Sequence, residues 1–212
     1  MLLFENKSKN PCGKIENLTF KEEIKVMIIT HRREKLIQAI IFFSLKTEYC
    51  GKTKLFKLLY LLDFEHFTQT GRSLTGLNYY AWEMGPVPVT LAEEWDNFKP
   101  DLENKVNINY EPTNKYIRQT VIAKSEFDDT FFTKRELRIM NEIADKYNHH
   151  YASEMVDVTH AENGAWEKTW NKGKGYNQQI DYLLAIGNAV EKQHLITAAK
   201  EYTTVLEKVG AK

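Results

Sequence analysis

The segment from Lys54 to Phe67 constrains the fold more than any other, because it is apolar around almost the whole circumference of a helix. Its large apolar residues are Leu55, Phe56, Leu58, Leu59, Leu61, Leu62 and Phe64. A helix without a polar face is stable in water only when neighbouring elements cover it from several sides. The pattern therefore predicts a central core helix that ends near Phe67, with Thr53 as its N-cap.

A second helix is predicted immediately upstream, from about Arg33 to Glu48. Its apolar residues recur at helical spacing, at Leu36, Ile37, Ile40, Ile41, Phe43 and Leu45. Glycine commonly follows the last turn of a helix, so Gly51 is assigned as the stop. The β-branched run at residues 24–30 fits either a short strand or the start of this helix, and both interpretations stay open.

The middle of the chain combines extended segments with turns. Residues 77–82 are predicted to be extended, and the sequence Gly-Pro-Val-Pro at 85–88 is predicted to break the chain. A helix from about Pro88 to Phe98 then follows, with Pro100 beyond its end. Alternation of polar and apolar residues at 106–110, followed by a turn and residues 116–123, predicts a β-hairpin.

The second half of the chain is predicted to be helical, since all five prolines precede residue 113. Thr133 and Glu136 have the spacing of a capping box and open a helix. The apolar face of this helix consists of Leu137, Met140, Ile143, Ala144 and Tyr147. Ser153 is predicted to cap a short helix through Ala161, and residues 178–209 are predicted to be helical.

These patterns together predict a mainly α fold with a small antiparallel hairpin or sheet, in the α+β class. Hydrophobic residues make up 42% of the 212 residues, enough for one substantial core. We expect one compact helical domain at residues 31–212 and a lead-in at residues 1–30. Without a long apolar segment or a leader pattern, and with only Cys12 and Cys50 as cysteines, the sequence predicts a cytoplasmic protein that does not enter a membrane.

The formal charge is zero, with 29 basic and 29 acidic residues, but the charges are unevenly distributed. Residues 1–60 contain 12 Lys/Arg and 6 Asp/Glu, whereas residues 61–111 contain 3 and 9. A neutral total argues against a chain that binds nucleic acid over its whole surface. The basic first 60 residues keep a nucleic-acid-binding regulator open as the alternative function, and the acidic middle segment favours a basic protein partner.

No residue pattern in the sequence predicts a catalytic, cofactor or metal site. Gly51-Lys52-Thr53 resembles the end of a phosphate-binding loop, but Lys46 stands where that motif needs its first glycine. The six histidines lack the spacing of a zinc site. His160 beside a helix end is the single residue on which an enzymatic alternative would depend, so the expected answer is a protein that is not an enzyme.

The aromatic segment from Tyr79 to Val87 is the remaining feature that could carry function. Gly85 before Pro86 permits a backbone turn that most residues cannot adopt. Because successive residues of a strand face opposite sides, its aromatic side chains can serve the core and an interface at once.

Three motifs in this chain resemble those of the Panacea domain family of SocA-like antitoxins. Residues 54–63, Lys-Leu-Phe-Lys-Leu-Leu-Tyr-Leu-Leu-Asp, are similar to the family's Lys-Leu-x-Lys-Leu-Leu-Tyr helix. Residues 81–87 are similar to its aromatic-x-x-Gly-Pro-Val turn, and Thr159-His160 followed by Trp166 is similar to its closing element. The resemblance runs from about residue 32 to residue 170.

The resemblance implies a prokaryotic or phage antitoxin, a non-enzymatic helical domain that neutralises a cognate protein toxin encoded beside it. The toxin itself and the oligomeric state are not implied, and delivery of the toxin to a protease is an alternative to direct masking. The expected interaction surface comprises Tyr79, Tyr80, Trp82, Val87, Glu93, Glu94 and Asp96. The matching family positions, expected to be structural, are Lys54, Leu55, Lys57, Leu58, Tyr60, Gly85, Pro86, His160 and Trp166.

Overall fold

The computed structural model describes residues 18–112, 117–161, 164–187 and 192–211 of the chain. Its helices are α1 (Phe20–Lys46), α2 (Lys52–Thr70), α3 (Val89–Glu94), α4 (Pro100–Glu103), α5 (Lys134–Tyr147), α6 (Ala152–Ala161), α7 (Ala165–Trp170) and α8 (Gln193–Val209). Its strands are β1 (Tyr79–Trp82), β2 (Gly85–Pro88), β3 (Val106–Pro112) and β4 (Ile117–Ala123). The predicted fold class, mainly α with small antiparallel sheets, is confirmed.

Helix α2 is the centre of the molecule, as its apolar circumference predicts. It contacts α1, α5, α6 and α8 together with strands β2 and β4. Its side chains are buried from Lys54 through Phe64 without interruption. A glycine in the left-handed region, Gly71 at φ 72°, ends the helix.

The boundaries of the first two helices differ from the prediction. The start of α1 lies at Phe20 because Thr19 and Glu22 form a capping box, so the run at residues 24–30 is helical. Thr47 ends α1, and Gly51 is the N-cap of α2, so Gly51 as a stop and Thr53 as an N-cap are both wrong. A Cβ atom on Gly51 would lie 2.4 Å from the Gln119 carbonyl oxygen, so close packing against β4 explains the glycine.

The sequence at 85–88 does not break the chain but forms strand β2, and this prediction is also wrong. Strands β1 and β2 form a two-residue-turn hairpin in which Ala81 pairs with Pro86 and Tyr79 pairs with Pro88. On its other edge β1 bonds to residues 177–180, where the Ile180 amide donates to the Tyr79 carbonyl at 2.8 Å. Both prolines thus sit where the backbone nitrogen points away from β1, so the missing N–H removes no bond from the hairpin.

The later helices also depart from the predicted boundaries. The predicted helix from Pro88 to Phe98 is shorter, and Pro100 begins α4 rather than lying beyond a helix. Ser153 lies inside the first turn of α6, where the Glu154 carboxylate accepts the Tyr151 amide. Residues 178–180 cannot be helical because they pair with β1, so the C-terminal helix begins at Gln193.

Two other predictions are confirmed. Thr133 and Glu136 form the capping box of α5, whose buried residues include Met140, Ile143 and Tyr147, although Leu137 is only half-buried. Strands β3 and β4 form the expected antiparallel hairpin, whose connecting residues 113–116, including Tyr116, lie outside the described residues. Helix α1 spans both sides of the boundary expected at residue 30, and the domain assignment itself stays a prediction.

Within the described ranges, no helix is both long and apolar enough to span a lipid bilayer.

Candidate protein-interaction surface

The ammonium group of Lys57 holds the β1–β2 hairpin to the central helix. Lys57 points from the middle of α2, where it is almost fully buried, and its Nζ donates to the Pro86 carbonyl at 2.9 Å. In the part of the chain that the structure describes, Lys57 forms no ion pair with a carboxylate. Burial lowers the pKa of Lys57 to about 7.

Gly85 is the residue that lets Lys57 approach the hairpin so closely. Its φ is +94°, a conformation that side-chain-bearing residues rarely adopt. A Cβ atom there would lie 2.7 Å from Lys57 Nζ and 3.0 Å from Thr159 Oγ1. Helices α2 and α6 therefore meet the turn of the hairpin at a point that only glycine can occupy without displacement.

Trp166 fixes the other strand of the hairpin. Its indole Nε1 donates to the Trp82 carbonyl at 3.1 Å. The His160 ring stacks on Trp166 with centroids 3.7 Å apart and planes inclined by 4°. Lys57 and Trp166, which are far apart in the sequence, thus both contact residues 82–86 of the hairpin.

A buried carboxylate supports the start of β1. Asp63 on α2 accepts hydrogen bonds from the Leu74 and Thr75 amides at 2.8 and 2.7 Å, and from the Tyr79 hydroxyl at 2.8 Å. The Thr75 hydroxyl is a further donor. Burial raises the pKa of Asp63, and the four donors oppose that rise. The loop between α2 and β1 is therefore tied to the core.

A cleft of about 570 Å³ lies beside the hairpin and is called the hairpin cleft below. Its lining is Lys52, Thr53, Phe56, Lys57, Trp82, Glu83, Met84, Val87, Val89, Ala92, Glu93 and Tyr176. Trp82 is 36% exposed, while Met84 and Tyr176 are each 61% exposed. Large apolar side chains around a concave surface are typical of a binding site.

The residues expected to form the interaction surface divide into accessible and buried groups. Trp82 and Glu93 are exposed and line the hairpin cleft, Val87 lines it but is only 8% exposed, and Asp96 is exposed nearby in the sequence. Tyr80 is half-buried and its backbone bridges to Gln179.

Tyr79 and Glu94 point into the protein instead. Tyr79 is fully buried with its hydroxyl on Asp63, and the Glu94 carboxylate binds both terminal nitrogens of Arg33. Neither side chain is accessible to a partner in this conformation.

The family-motif positions on α2 lie in the protein interior. Lys54, Leu55, Leu58 and Tyr60 are all buried. The Lys54 ammonium donates to the carbonyls of Glu48 and Asn148, each at 2.7 Å, and so joins the end of α1 to the end of α5.

The expected interaction surface named neither Met84, which lies within the segment from Tyr79 to Val87, nor Tyr176, although both line the hairpin cleft. Met84 is in the hairpin turn, and Tyr176 is in an irregular segment 92 positions later. Because that segment pairs with β1 only in the folded chain, no periodicity could have brought Tyr176 into the site.

His160 has one feature that chemistry could use, an Nε2 atom that is buried without a hydrogen-bond partner in the structure. Burial, and secondarily the nearby Lys57 charge, lowers the pKa of His160. Among the described residues no three His, Cys, Asp or Glu side chains are grouped to hold a metal ion.

The low pKa of Lys57 leads to a testable pH dependence. The folded-state value of about 7 is below the ordinary value of 10.5, so the unfolded chain binds more protons between these limits. Stability therefore rises with pH through this window. We expect Lys57→Met to remove part of the increase between pH 7 and pH 9, measured by urea unfolding of both proteins. Equal pH slopes for the two proteins would contradict the assignment, and Lys52→Met, on the same helix but at its first turn, is the control.

A family model described as "Antitoxin SocA-like, Panacea domain" matches residues 55–167, just over half of the chain. The match contains Lys57, the hairpin, His160 and Trp166, and it confirms the resemblance that the sequence motifs indicated. No curated protein and no solved structure matches the chain.

Proposed function

Because the chain belongs to the SocA-like antitoxin family defined by the Panacea domain, we propose that it neutralises a cognate protein toxin by binding it directly. The observation that carries the proposal is the hairpin cleft, in which exposed apolar side chains stand on a rigid hairpin. The family name supports an antitoxin and a non-enzymatic role, and the exposed apolar lining of the cleft supports its assignment as the contact surface.

The internal hydrogen bonds make the hairpin a preorganised surface. Pro86 is bound to Lys57, and Trp82 is bound through its carbonyl to Trp166. The Trp82 indole also donates to the Asn177 side chain at 3.1 Å, which restrains the ring. A surface that is already ordered loses less conformational entropy on binding, so more of the contact energy appears as affinity.

The charges around the cleft favour a partner with basic side chains. Glu83 and Glu93 are exposed on its lining, and Asp96 is exposed just beyond α3. Two lysines also line the cleft: Lys57 is buried with a pKa lowered to about 7, and the Lys52 ammonium lies over the rings of Phe56 and Trp95. Exposed carboxylates act mainly on the rate of encounter and on partner choice, so we assign the affinity to the apolar residues.

Co-expression with the adjacent gene tests the antitoxin function. We expect the neighbour to arrest growth when expressed alone, this protein to restore growth, and the two proteins to co-purify. A neighbour that is harmless and does not co-purify would contradict the proposal. Loss of the toxin that depends on a host protease would instead favour delivery to that protease over direct masking.

Removing the exposed apolar side chains is expected to abolish neutralisation without unfolding the protein. Trp82→Ala with Met84→Ala should weaken toxin binding by at least about a hundredfold, because buried aromatic anchors carry most interface energy. Calorimetric titration of the purified toxin measures the change. The control is Tyr110→Ala with Ile122→Ala, which removes exposed apolar side chains from the β3–β4 hairpin. Equal loss in both double variants would exclude the hairpin cleft as the contact surface.

A further inference from the structure

A second cleft, here called the basic cleft, lies on a part of the protein that shares no lining residue with the hairpin cleft. It has a volume of about 650 Å³ and is bounded by α1, the end of α2 and the loop after it, the start of α5 and the middle of α8. Its charged lining residues are His31, Arg32, Lys35, His66, Arg72, Lys134, Arg135 and Glu136. A concave volume of this size suits a small molecule.

The basic cleft carries a strong excess of positive charge. Five of its lining side chains are Lys or Arg and one is Glu, which gives a net charge of +4 with both histidines neutral. The single carboxylate is already neutralised, because Glu136 Oε1 lies 2.6 Å from Lys35 Nζ. It also lies 3.6 Å from His66 Nε2.

The remaining cations of the cleft pair with no carboxylate of the described residues. Within the described ranges, neither Arg32 nor Arg72 forms an ion pair, and neither do Lys134 and Arg135. The whole chain holds equal numbers of acidic and basic residues. The excess of positive charge in the basic cleft therefore comes from the way the fold places these residues, because the composition of the whole chain is neutral.

Two guanidinium groups are held against the same aromatic ring. The Cζ atoms of Arg32 and Arg72 lie 5.5 and 4.6 Å from the centre of the Tyr202 ring. Arg32 is further fixed by donating to the Tyr202 hydroxyl at 3.1 Å and to the Ala211 carbonyl at 3.4 Å. The neutral ring does not cancel either positive charge, so both guanidinium groups can still attract a bound anion.

We propose that the basic cleft binds a small polyphosphate anion, the diphosphate or triphosphate group that nucleotides and inorganic polyphosphates share. Planar guanidinium groups bind phosphate oxygens in pairs of parallel hydrogen bonds, and nearby lysines add point charge. The cations line a concavity instead of a ridge or a flat stripe, which favours a compact ligand over a polymer backbone. This assignment does not depend on the antitoxin function.

Calorimetric titration of the full chain with ATP, inorganic triphosphate and pyrophosphate at fixed ionic strength tests the site. We expect binding of each anion, and we expect Arg72→Gln with Arg135→Gln to raise the Kd at least about tenfold, the effect of removing charge-assisted contacts. Both arginines are exposed, so the fold should be retained. The matched control is Arg118→Gln with Arg138→Gln, which removes the same charge from exposed arginines outside the cleft.

Three results would overturn the proposal. The first is no binding of ATP or triphosphate at millimolar concentration, and the second is equal weakening by both double variants, which would show a non-specific charge effect. The third is tighter binding of a single-stranded oligonucleotide that displaces ATP, which would assign the cleft to nucleic acid. Retained binding of the toxin by the Arg72→Gln, Arg135→Gln variant would show that the two clefts act independently.

Discussion

Replacing Asp63 with alanine is expected to lower the free energy of unfolding by about 3–5 kcal/mol, because several buried donors lose their acceptor at a cost of about 1–3 kcal/mol each, partly offset by removal of a buried charge. The carboxylate is fully buried and accepts bonds from two backbone amides and two hydroxyls. Its removal leaves these donors in the core without their acceptor. Urea unfolding followed by circular dichroism measures the shift in midpoint.

Two milder substitutions, one at Asp63 and one at its donor Tyr79, test the hydrogen bonds of the Asp63 carboxylate without leaving a large cavity. Asp63→Asn keeps an oxygen for the Leu74 and Thr75 amides, so we expect a loss of about 1–2 kcal/mol. Tyr79→Phe removes one donor and should cost about 1 kcal/mol. An Asp63→Ala protein as stable as Asp63→Asn would show that the network contributes little.

Replacing Trp166 with alanine is expected to have an effect of similar size, about 3–5 kcal/mol, together with a loss of function. Truncation of a buried tryptophan removes a large apolar surface and leaves a cavity. It also removes the ring on which His160 and Trp170 stack, and the donor to the Trp82 carbonyl. Thermal unfolding gives the stability, and titration of the toxin well below the melting temperature gives the binding.

Trp166→Phe distinguishes the packing of the Trp166 ring from its hydrogen bond to the Trp82 carbonyl, which is the tether of the hairpin. Phenylalanine retains most of the ring contacts but cannot donate to Trp82, so stability should fall by about 1 kcal/mol plus a cavity contribution. We expect toxin binding to weaken more than this stability loss alone would cause. Full toxin affinity in Trp166→Phe would mean that the tether does not position the hairpin.

The parts of the fold that the sequence predicts are those with a local physical cause. The capping box at Thr133 and Glu136 and the all-round apolarity of α2 each depend on residues within a few turns, and both predictions are confirmed. The errors occur where distant segments decide the local structure. Residues 178–180 have helical composition, but hydrogen bonds to β1 hold them extended.

The candidate interaction surface is likewise predictable where a local pattern determines it and unpredictable where distant residues do. Exposure of Trp82 could be expected from alternation along β1, whereas the burial of Glu94 could not. Glu94 binds Arg33, which precedes it by 61 positions. No short-range pattern encodes that ion pair. Lys57, Gly85 and Trp166 belong to the family motifs in the sequence. Their contacts around the hairpin are visible only in the fold.

The two prolines of β2 determine how a partner can use the hairpin. At Pro86 and Pro88 the backbone nitrogen faces away from β1 and carries no hydrogen, and the Pro86 oxygen is already occupied by Lys57. The outer edge of β2 therefore cannot accept an incoming strand from another chain, by β-augmentation or by edge-to-edge aggregation. A partner must recognise side chains, so swapping Trp82, Met84 or Tyr176 between related proteins would alter partner choice while leaving the hairpin backbone unchanged.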